Sequence, residues 1–246
     1  MTVVNSQKPA GRHLKKRVRE ILTSMEVVPA LEALRQLPAR RIVNPLFSFL
    51  YQVDDHLRWT AITAMGHIVA GLADENMEAA RVIMRRLMWN LNDESGGIGW
   101  GSPEAMGEIL ACHEGLAKEY AHVLISYARK DGNYLEYEML QRGLLWGIAR
   151  LSEARPHLVQ EGVGQIVPYL ESKDPAVRGM AASIMGLLKV REARSSLELL
   201  QGDAAEFQTW LDRRLVKRRV KEVARVALQR LSAFEDKKSN KKGDPI

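Results

Sequence analysis

The stretch from Asp54 to Gly66 reads DDHLRWTAITAMG, and the stretch from Asp174 to Gly186 reads DPAVRGMAASIMG. In both, an Asp precedes an Arg by four positions and the Arg precedes a Gly by eight. Asp is a favoured helix N-cap because its carboxylate accepts hydrogen bonds from the free N–H groups of the first turn. The Ala and Gly positions that follow let a second helix approach closely. Each stretch therefore predicts a capped helix, with an Arg available to an acidic neighbour or to the Asp of the next repeat.

The end of this pattern recurs at a regular interval. A large apolar residue precedes Gly at four places, and the glycines lie 41, 40 and 39 residues apart: Met65-Gly66, Met106-Gly107, Trp146-Gly147 and Met185-Gly186. A period of this length is typical of repeat proteins built from helix pairs. Apolar residues at three- and four-residue spacing predict a helix over 12–35, first helices near 43–52, 76–91, 116–130, 157–171 and 204–212, and second helices near 55–71, 102–113, 134–152, 174–189 and 215–233. The sequence thus predicts an all-α fold, an α-α superhelix of about five to six helix pairs.

The pattern Asp-x-x-Val/Leu-Arg-x-x-Ala…Met-Gly resembles the second helix of HEAT repeats, in particular the short HEAT-like type of phycobilin lyase subunits (PBS lyase HEAT-like repeats) and many bacterial proteins. As a period, the resemblance covers most of the chain. The copies at 94–107 and 134–147 keep the spacing but lack the Asp and the Arg. The resemblance implies a HEAT-like solenoid whose second helices line the concave surface.

Length and composition exclude several classes of protein. A chain of 246 residues with 46% apolar types can bury a core without covalent staples. Its one cysteine, Cys112, cannot form an internal disulfide and leaves no Cys-rich zinc module. The longest apolar stretch, 179–188, is about half of what a bilayer-spanning helix needs. We therefore expect a cytoplasmic protein without membrane insertion: a flexible N-terminus over 1–11, one solenoid domain over 12–233 and a disordered basic tail over 234–246.

The net charge of +6 hides an uneven distribution. Residues 1–41 carry nine basic and three acidic side chains, and residues 213–246 carry twelve basic and four acidic ones. The body between them holds 15 basic and 23 acidic side chains. A basic chain often binds a polyanion. Here any nucleic-acid contact is expected at the ends.

The third repeat departs from the pattern. Five of the 18 glycines lie between Gly96 and Gly107, in the segment SGGIGWGSPEAMG. Glycines permit a positive φ or a close backbone approach, and the following Ser102-Pro103 pair suits the start of a helix. The spacing fits neither of the common phosphate-binding glycine motifs. We therefore interpret this loop as the edge of a binding site for another kind of partner, and the alternative is that it is only a structural turn.

The repeat register predicts which side chains surround this loop. Trp59 and Trp100 take equivalent positions on neighbouring second helices, and the pairs Thr63/Glu104 and His67/Glu108 follow one and two turns later. Aromatic and Arg side chains dominate binding hot spots. The predicted partner-binding residues are Trp59, Thr63, His67, Asp93, Trp100, Glu104, Glu108 and Arg142.

The favoured function is a non-enzymatic scaffold or adaptor that binds a protein or peptide in its concave groove, with a partner that presents basic or amide groups. No catalytic residue, cofactor or metal site is predicted, because the sequence contains no cofactor-specific motif and only one His-Glu pair of the kind that HEAT-like iron proteins use, His113-Glu114. The oligomeric state is left open.

Two alternatives remain at the level of sequence. The first is a DNA-binding protein resembling the alkylpurine DNA glycosylases, with Trp100, Asp93 and Trp59 in their aromatic and acidic roles. Its nucleic-acid contacts would be the basic residues of the last helix, Arg213, Arg214, Lys217, Arg218 and Lys221. The acidic body counts against it, since a groove that grips DNA is expected to be positive. The second is a lyase-like or chaperone-like factor for a cofactor-bearing protein.

Overall fold

The computed structural model describes residues 11–92 and 99–241, with side chains up to residue 235. Within these ranges the predicted helical superhelix is confirmed, and the helices follow in this order: α1 (Gly11–Ser24), α2 (Val27–Arg35), α3 (Ala39–Phe47), α4 (Asp55–Glu75), α5 (Met77–Asn92), α6 (Ser102–Cys112), α7 (Glu114–Ser126), α8 (Glu138–Ala154), α9 (Pro175–Leu188), α10 (Arg194–Leu200) and α11 (Val220–Lys241). None of the helices in the described part of the chain combines the length and apolarity needed to cross a bilayer.

The helices form two layers. The inner layer consists of α4, α6, α8, α9 and α11, each packed against the next. The outer layer contains α3, α5, α7 and α10, which pack behind the inner helices. Because each pair buries its apolar face against its neighbours, the core runs as one continuous cluster from Leu14 to Leu231.

Several predicted helices are wrong in detail. The single helix over 12–35 is divided into α1 and α2 between Ser24 and Val27. The helix over 157–171 is replaced by the short 3-10 segments Pro156–Leu158, Gln160–Gln165 and Val167–Glu171. Two prolines and two glycines in this stretch explain the change, since proline lacks a backbone donor and glycine weakens a helix: Pro156, Pro168, Gly162 and Gly164.

A β-hairpin replaces the last of the predicted first helices, the one near 204–212. Strand β1 (Glu206–Leu211) pairs antiparallel with β2 (Arg214–Arg219), from Glu206 opposite Arg219 to Leu211 opposite Arg214. The two residues of the turn, Asp212 and Arg213, have φ values of 50° and 61°, as the tight turns that match strand twist require. The predicted helix over 204–212 and the predicted helix start at 215 are therefore wrong.

The ends of the predicted domains lie partly outside the described residues. Residues 1–10 of the predicted flexible N-terminus and residues 242–246 of the predicted tail are not described. Helix α11 continues to Lys241, past the predicted helix end at 233.

The repeat glycines mark the points where inner helices meet. A Cβ built on Gly107 of α6 would lie 2.3 Å from the Cα of Gly147 on α8. At Gly66 it would lie 2.4 Å from the Cγ of Glu108, and at Gly186 it would lie 2.6 Å from the Cα of Ala227 on α11. These close approaches confirm the reason for the small residue in each repeat.

The Asp and Arg positions link successive repeats as predicted. Asp174 caps α9 by accepting hydrogen bonds from the N–H groups of Ala176 and Val177. Arg142 of α8 reaches this same Asp174, with 2.6 Å between its Nε and the Oδ2. Arg178 of α9 donates to Asp203 of the following repeat over 2.7 Å. Asp174 thus serves both the helix that it caps and the repeat before it.

We expect Gly107→Ala to lower the free energy of unfolding by about 2 kcal/mol or more, because the added methyl meets backbone atoms of α8 that cannot turn aside. Gly71→Ala is the matched control, since Gly71 is exposed on α4 with open space around it. Alanine should stabilise that position by about 0.5–1 kcal/mol. Urea unfolding followed by circular dichroism measures both. Equal effects of the two substitutions would contradict the proposed helix contact.

Candidate functional site

The β-hairpin lies across the inner layer and is held there by three indole rings. Trp210 of β1 stacks on Trp59 of α4, with ring centroids 5.9 Å apart and planes within 3° of parallel. Trp59 also meets Trp146 of α8 at 4.7 Å, and the Nε1 of Trp146 donates to the carbonyl oxygen of Trp210 over 2.9 Å. Near the start of the same strand, Phe207 fills the space beside Gly179 of α9. The hairpin is therefore packed into the concave face.

The hairpin divides the concave face into two cavities. The first, here named the Trp100 cleft, has a volume of about 360 Å³ and is lined by Arg58, Trp100, Glu104 and Arg142, among others. The second, here named the arginine cleft, has a volume of about 660 Å³ and is lined by several arginines: Arg150, Arg213, Arg218 and Arg230. Trp146, Met180 and Thr209 border both.

The residues predicted as one partner surface are split between the two clefts. Trp59, Trp100, Glu104 and Arg142 line the Trp100 cleft. Thr63, His67 and Glu108 line the arginine cleft. Asp93 lies outside the described residues.

The two tryptophans of that surface differ from their predicted placement. Trp59 is 8% exposed because the hairpin covers it, so the expectation of an open contact ring there is wrong. Trp100 lies in the turn before α6 rather than on the helix, and it is 37% exposed. This turn needs glycine at position 101, where φ is 74° and an added Cβ would lie 2.4 Å from the carbonyl oxygen of Leu50. Of the two rings, Trp100 is the one accessible to a partner.

Thr63 and Glu108 have partners inside the protein. The Thr63 hydroxyl donates to the carbonyl oxygen of Trp59 over 3.0 Å. The Oε2 of Glu108 accepts from the Nε of Arg150 over 2.8 Å. Both side chains are buried. They shape the wall of the arginine cleft and are already satisfied there.

His67, Glu108 and Cys112 form a small cluster whose potential ligand atoms lie within 4.8 Å of one another. Burial, together with the nearby Glu108 carboxylate, raises the pKa of the Cys112 thiol to about 12. Burial and the adjacent Arg35 lower the pKa of His67. The thiol is thus protonated at neutral pH, while Arg150 competes with any metal ion for the carboxylate.

Glu104 differs from the other buried carboxylates in having an oxygen without a partner. The side chain is 9% exposed, and its Oε2 accepts no hydrogen bond from the described residues. Gly143 of α8 makes room for it, since a Cβ there would lie 2.4 Å from the carboxyl carbon. Burial raises the pKa of Glu104 to about 7, although its own backbone N–H and Arg58 act in the opposite direction. A buried acceptor without a donor is costly, so this carboxyl is suited to meet a donor from outside.

Each of the other charged groups of the Trp100 cleft is in an ion pair within the protein. Arg58 pairs with Asp55, and Arg142 pairs with Asp174. Glu206 of β1 accepts from Arg219 across the hairpin over 3.1 Å. Counted along the lining, the cleft holds four carboxyl groups and two arginines. The charge that remains unpaired in this cleft is therefore negative.

The basic residues of the DNA-binding alternative do not share one helix, which corrects that prediction. Arg213 lies in the hairpin turn, and Lys221 lies in the first turn of α11. Arg214, Lys217 and Arg218 belong to β2. Of the five, only Arg213 and Arg218 line a cleft.

The fold and the divided concave face define a helical-repeat solenoid of the armadillo/HEAT-like type. A designed armadillo repeat protein in complex with the peptide (KR)4 superimposes with a TM-score of 0.57 and 16% identity, over 92% of this chain and 95% of that one. A second designed armadillo repeat protein gives a TM-score of 0.54 and 17% identity, over 92% and 96% of the two chains. At this identity the likeness shows the fold alone.

Sequence comparison gives a relative over part of the chain. An uncharacterized protein of Archaeoglobus fulgidus is 31% identical over 114 residues, which is 45% of this chain and 54% of the relative. The match therefore spans about half of that relative's length. No protein-family model matches the chain.

We expect Glu104→Gln to change how stability depends on pH. Below about pH 4.5 the carboxyl is neutral in both the folded and unfolded states, so its burial carries no ionisation penalty. As the pH rises from 4.5 to 7 the unfolded state loses this proton first, and folding is weakened by about 3 kcal/mol, with no further change above pH 7. Glutamine cannot ionise and avoids this loss.

The measurement is the free energy of unfolding of both proteins in urea at pH 5 and pH 8. Between pH 5 and pH 8, the free energy of unfolding of the variant should increase by about 2–3 kcal/mol relative to that of the parent. Glu136→Gln, at an exposed position, controls for the loss of one acidic residue. A gain no larger than that of the control would show that Glu104 is already satisfied in the folded protein.

Proposed function

We propose that the chain is a helical-repeat binding module that takes a peptide segment carrying a Lys or Arg side chain into the Trp100 cleft. The observation that carries this proposal is the buried Oε2 of Glu104, which has no hydrogen-bond partner among the described residues. An ammonium or guanidinium group would supply both the missing donor and the opposite charge.

The surroundings of Glu104 favour a cation over an anion. Both arginines of the cleft already pair with carboxylates of the chain, Asp55 and Asp174. The indole of Trp100 lines the same cavity and offers an aromatic face to the stem or head of a basic side chain. With a volume of about 360 Å³, the cleft suits one long side chain with its flanking backbone.

The structural comparison supports the same class of ligand. The designed armadillo protein that shares this fold is in complex with a peptide of alternating Lys and Arg. In the present chain the hairpin occupies the middle of the concave face. A bound peptide is thus expected to enter beside the hairpin, at the Trp100 turn.

The test is a fluorescence anisotropy titration with labelled (KR)4 and with a peptide of the same length made of Gln and Ser. We expect saturable binding of (KR)4 alone. Glu104→Gln and Trp100→Ala should each weaken it about tenfold or more, because each removes a central contact. Trp89→Ala is the matched control, since Trp89 is 72% exposed on α5 and outside the cleft. Equal binding by all variants, or no saturable binding at low salt, would refute the proposal.

The pH dependence of binding gives an independent prediction. Only the ionised carboxylate attracts a cation, and burial raises the pKa of Glu104 to about 7. The affinity for (KR)4 should therefore increase as the pH rises from 6 to 8. This increase should disappear in Glu104→Gln. An identical pH profile in the variant would assign the binding to other carboxylates.

A further inference from the structure

The arginine cleft lies on the other side of the hairpin and has the opposite electrostatic character. Of its four arginines, Arg150 is engaged by Glu108 at 2.8 Å and lies 3.6 Å from Glu153. Within residues 11–92 and 99–235, the structure gives no ion-pair or hydrogen-bond partner for the side chains of Arg213, Arg218 and Arg230. All three line the cavity. Their positive charge is thus available to a ligand.

Arg218 is the most enclosed of the three. It extends from β2 and is half-buried. Burial lowers the pKa of its guanidinium, with Glu222 opposing this shift and Arg230 adding to it. A guanidinium withdrawn from water without a carboxylate at ion-pair distance is unfavourable, and an anion in the cleft would relieve that cost.

The positive charge extends along the length of the cavity. Arg213, in the hairpin turn, acts on the far wall, where it contributes to lowering the pKa of His67. Arg218 and Arg230 close the side formed by β2 and α11. The acidic groups of the lining are Glu108 and Glu153, which lie beside Arg150, and Asp212, which precedes Arg213 in the turn. The unpaired arginines therefore outnumber the unpaired carboxylates.

Between these charges the wall is apolar. Met180 and Leu187 of α9, Trp210 of β1 and Val226 of α11 all line the cavity. A volume of about 660 Å³ falls in the range of pockets that enclose small organic molecules. A wall that combines apolar side chains with a few fixed charges is typical of such sites.

We propose that the arginine cleft binds a small molecule that carries a phosphate or carboxylate group on an apolar body. The anionic group would lie between Arg218 and Arg230, where guanidinium forks can bind its oxygens in pairs. The apolar body would lie against Met180, Leu187 and Trp210. This site is separate from the Trp100 cleft and does not depend on peptide binding there.

The probe is 1-naphthyl phosphate, titrated by isothermal calorimetry against the full chain. Inorganic phosphate and 1-naphthol test the anion and the apolar body separately. We expect 1-naphthyl phosphate to bind at least about tenfold more tightly than either part, and less tightly as salt rises. Binding of 1-naphthol with equal affinity would overturn the proposal, as would no binding of the phosphate ester.

Variants locate the site. Arg218→Met and Arg230→Met should each weaken binding of 1-naphthyl phosphate about tenfold, the effect of losing a hydrogen bond to a charged group. Arg214→Met, on the same strand but outside both clefts, should leave the affinity unchanged. Circular dichroism and thermal unfolding confirm that each variant is folded. Because Arg230 is exposed on α11, its variant keeps the test valid if Arg218→Met is unstable.

Two further measurements distinguish this proposal from peptide binding in the Trp100 cleft and from DNA binding. Glu104→Gln should bind 1-naphthyl phosphate as the parent does, so failure of the peptide proposal leaves this result untouched. A labelled DNA duplex tests the other source of phosphate. If the duplex binds more tightly than 1-naphthyl phosphate and loses affinity equally with Arg214→Met and Arg218→Met, the whole basic hairpin is the contact and the cleft proposal is overturned.

Discussion

The stacking of Trp210 on Trp59 is the contact on which the functional surface depends. Without it, the inner helices would present one shallow groove, as the repeat pattern alone implies. With it, the β-hairpin is fixed across the groove, and the hydrogen bond from Trp146 to the Trp210 carbonyl ties the same strand to a second helix. Three large rings that exclude water from one another bury enough apolar area to hold a two-stranded element that would be marginal on its own.

The hairpin gives one scaffold two chemically different clefts. On one side, internal salt bridges neutralise the arginines and leave Glu104 without a donor. On the other side, Glu108 is already paired, and the arginines contributed by the hairpin and α11 remain unpaired. The acidic body and basic C-terminal region seen in the sequence thus meet within the concave face. The difference in local charge arises from pairing, which net charge alone does not reveal.

The repeat was predictable because its signal is local and recurs. Each Gly of the period lies where two inner helices meet, and Asp54 and Asp174 each cap the helix that follows them. The hairpin was not predictable in this way, since Phe207 and Trp210 are three residues apart, a spacing that places both on one face of a helix. The alternation of Phe207 with Thr209, followed by Asp212-Arg213, was the available sign. The burial of Trp59 depends on a segment about 150 positions later in the chain, and the space for Glu104 depends on Gly143 of another helix. No local pattern around these residues contains that information.

Open solenoids tolerate the gain or loss of whole repeats, because every unit touches only its immediate neighbours. In this chain the indole contact joins α4 to a strand that lies three inner helices farther along. Insertion or deletion of one helix pair between them would carry Trp210 out of reach of Trp59. The hairpin therefore fixes the number of repeats between α4 and β1. It also constrains the curvature of the solenoid, because it links inner helices that are not adjacent in the array.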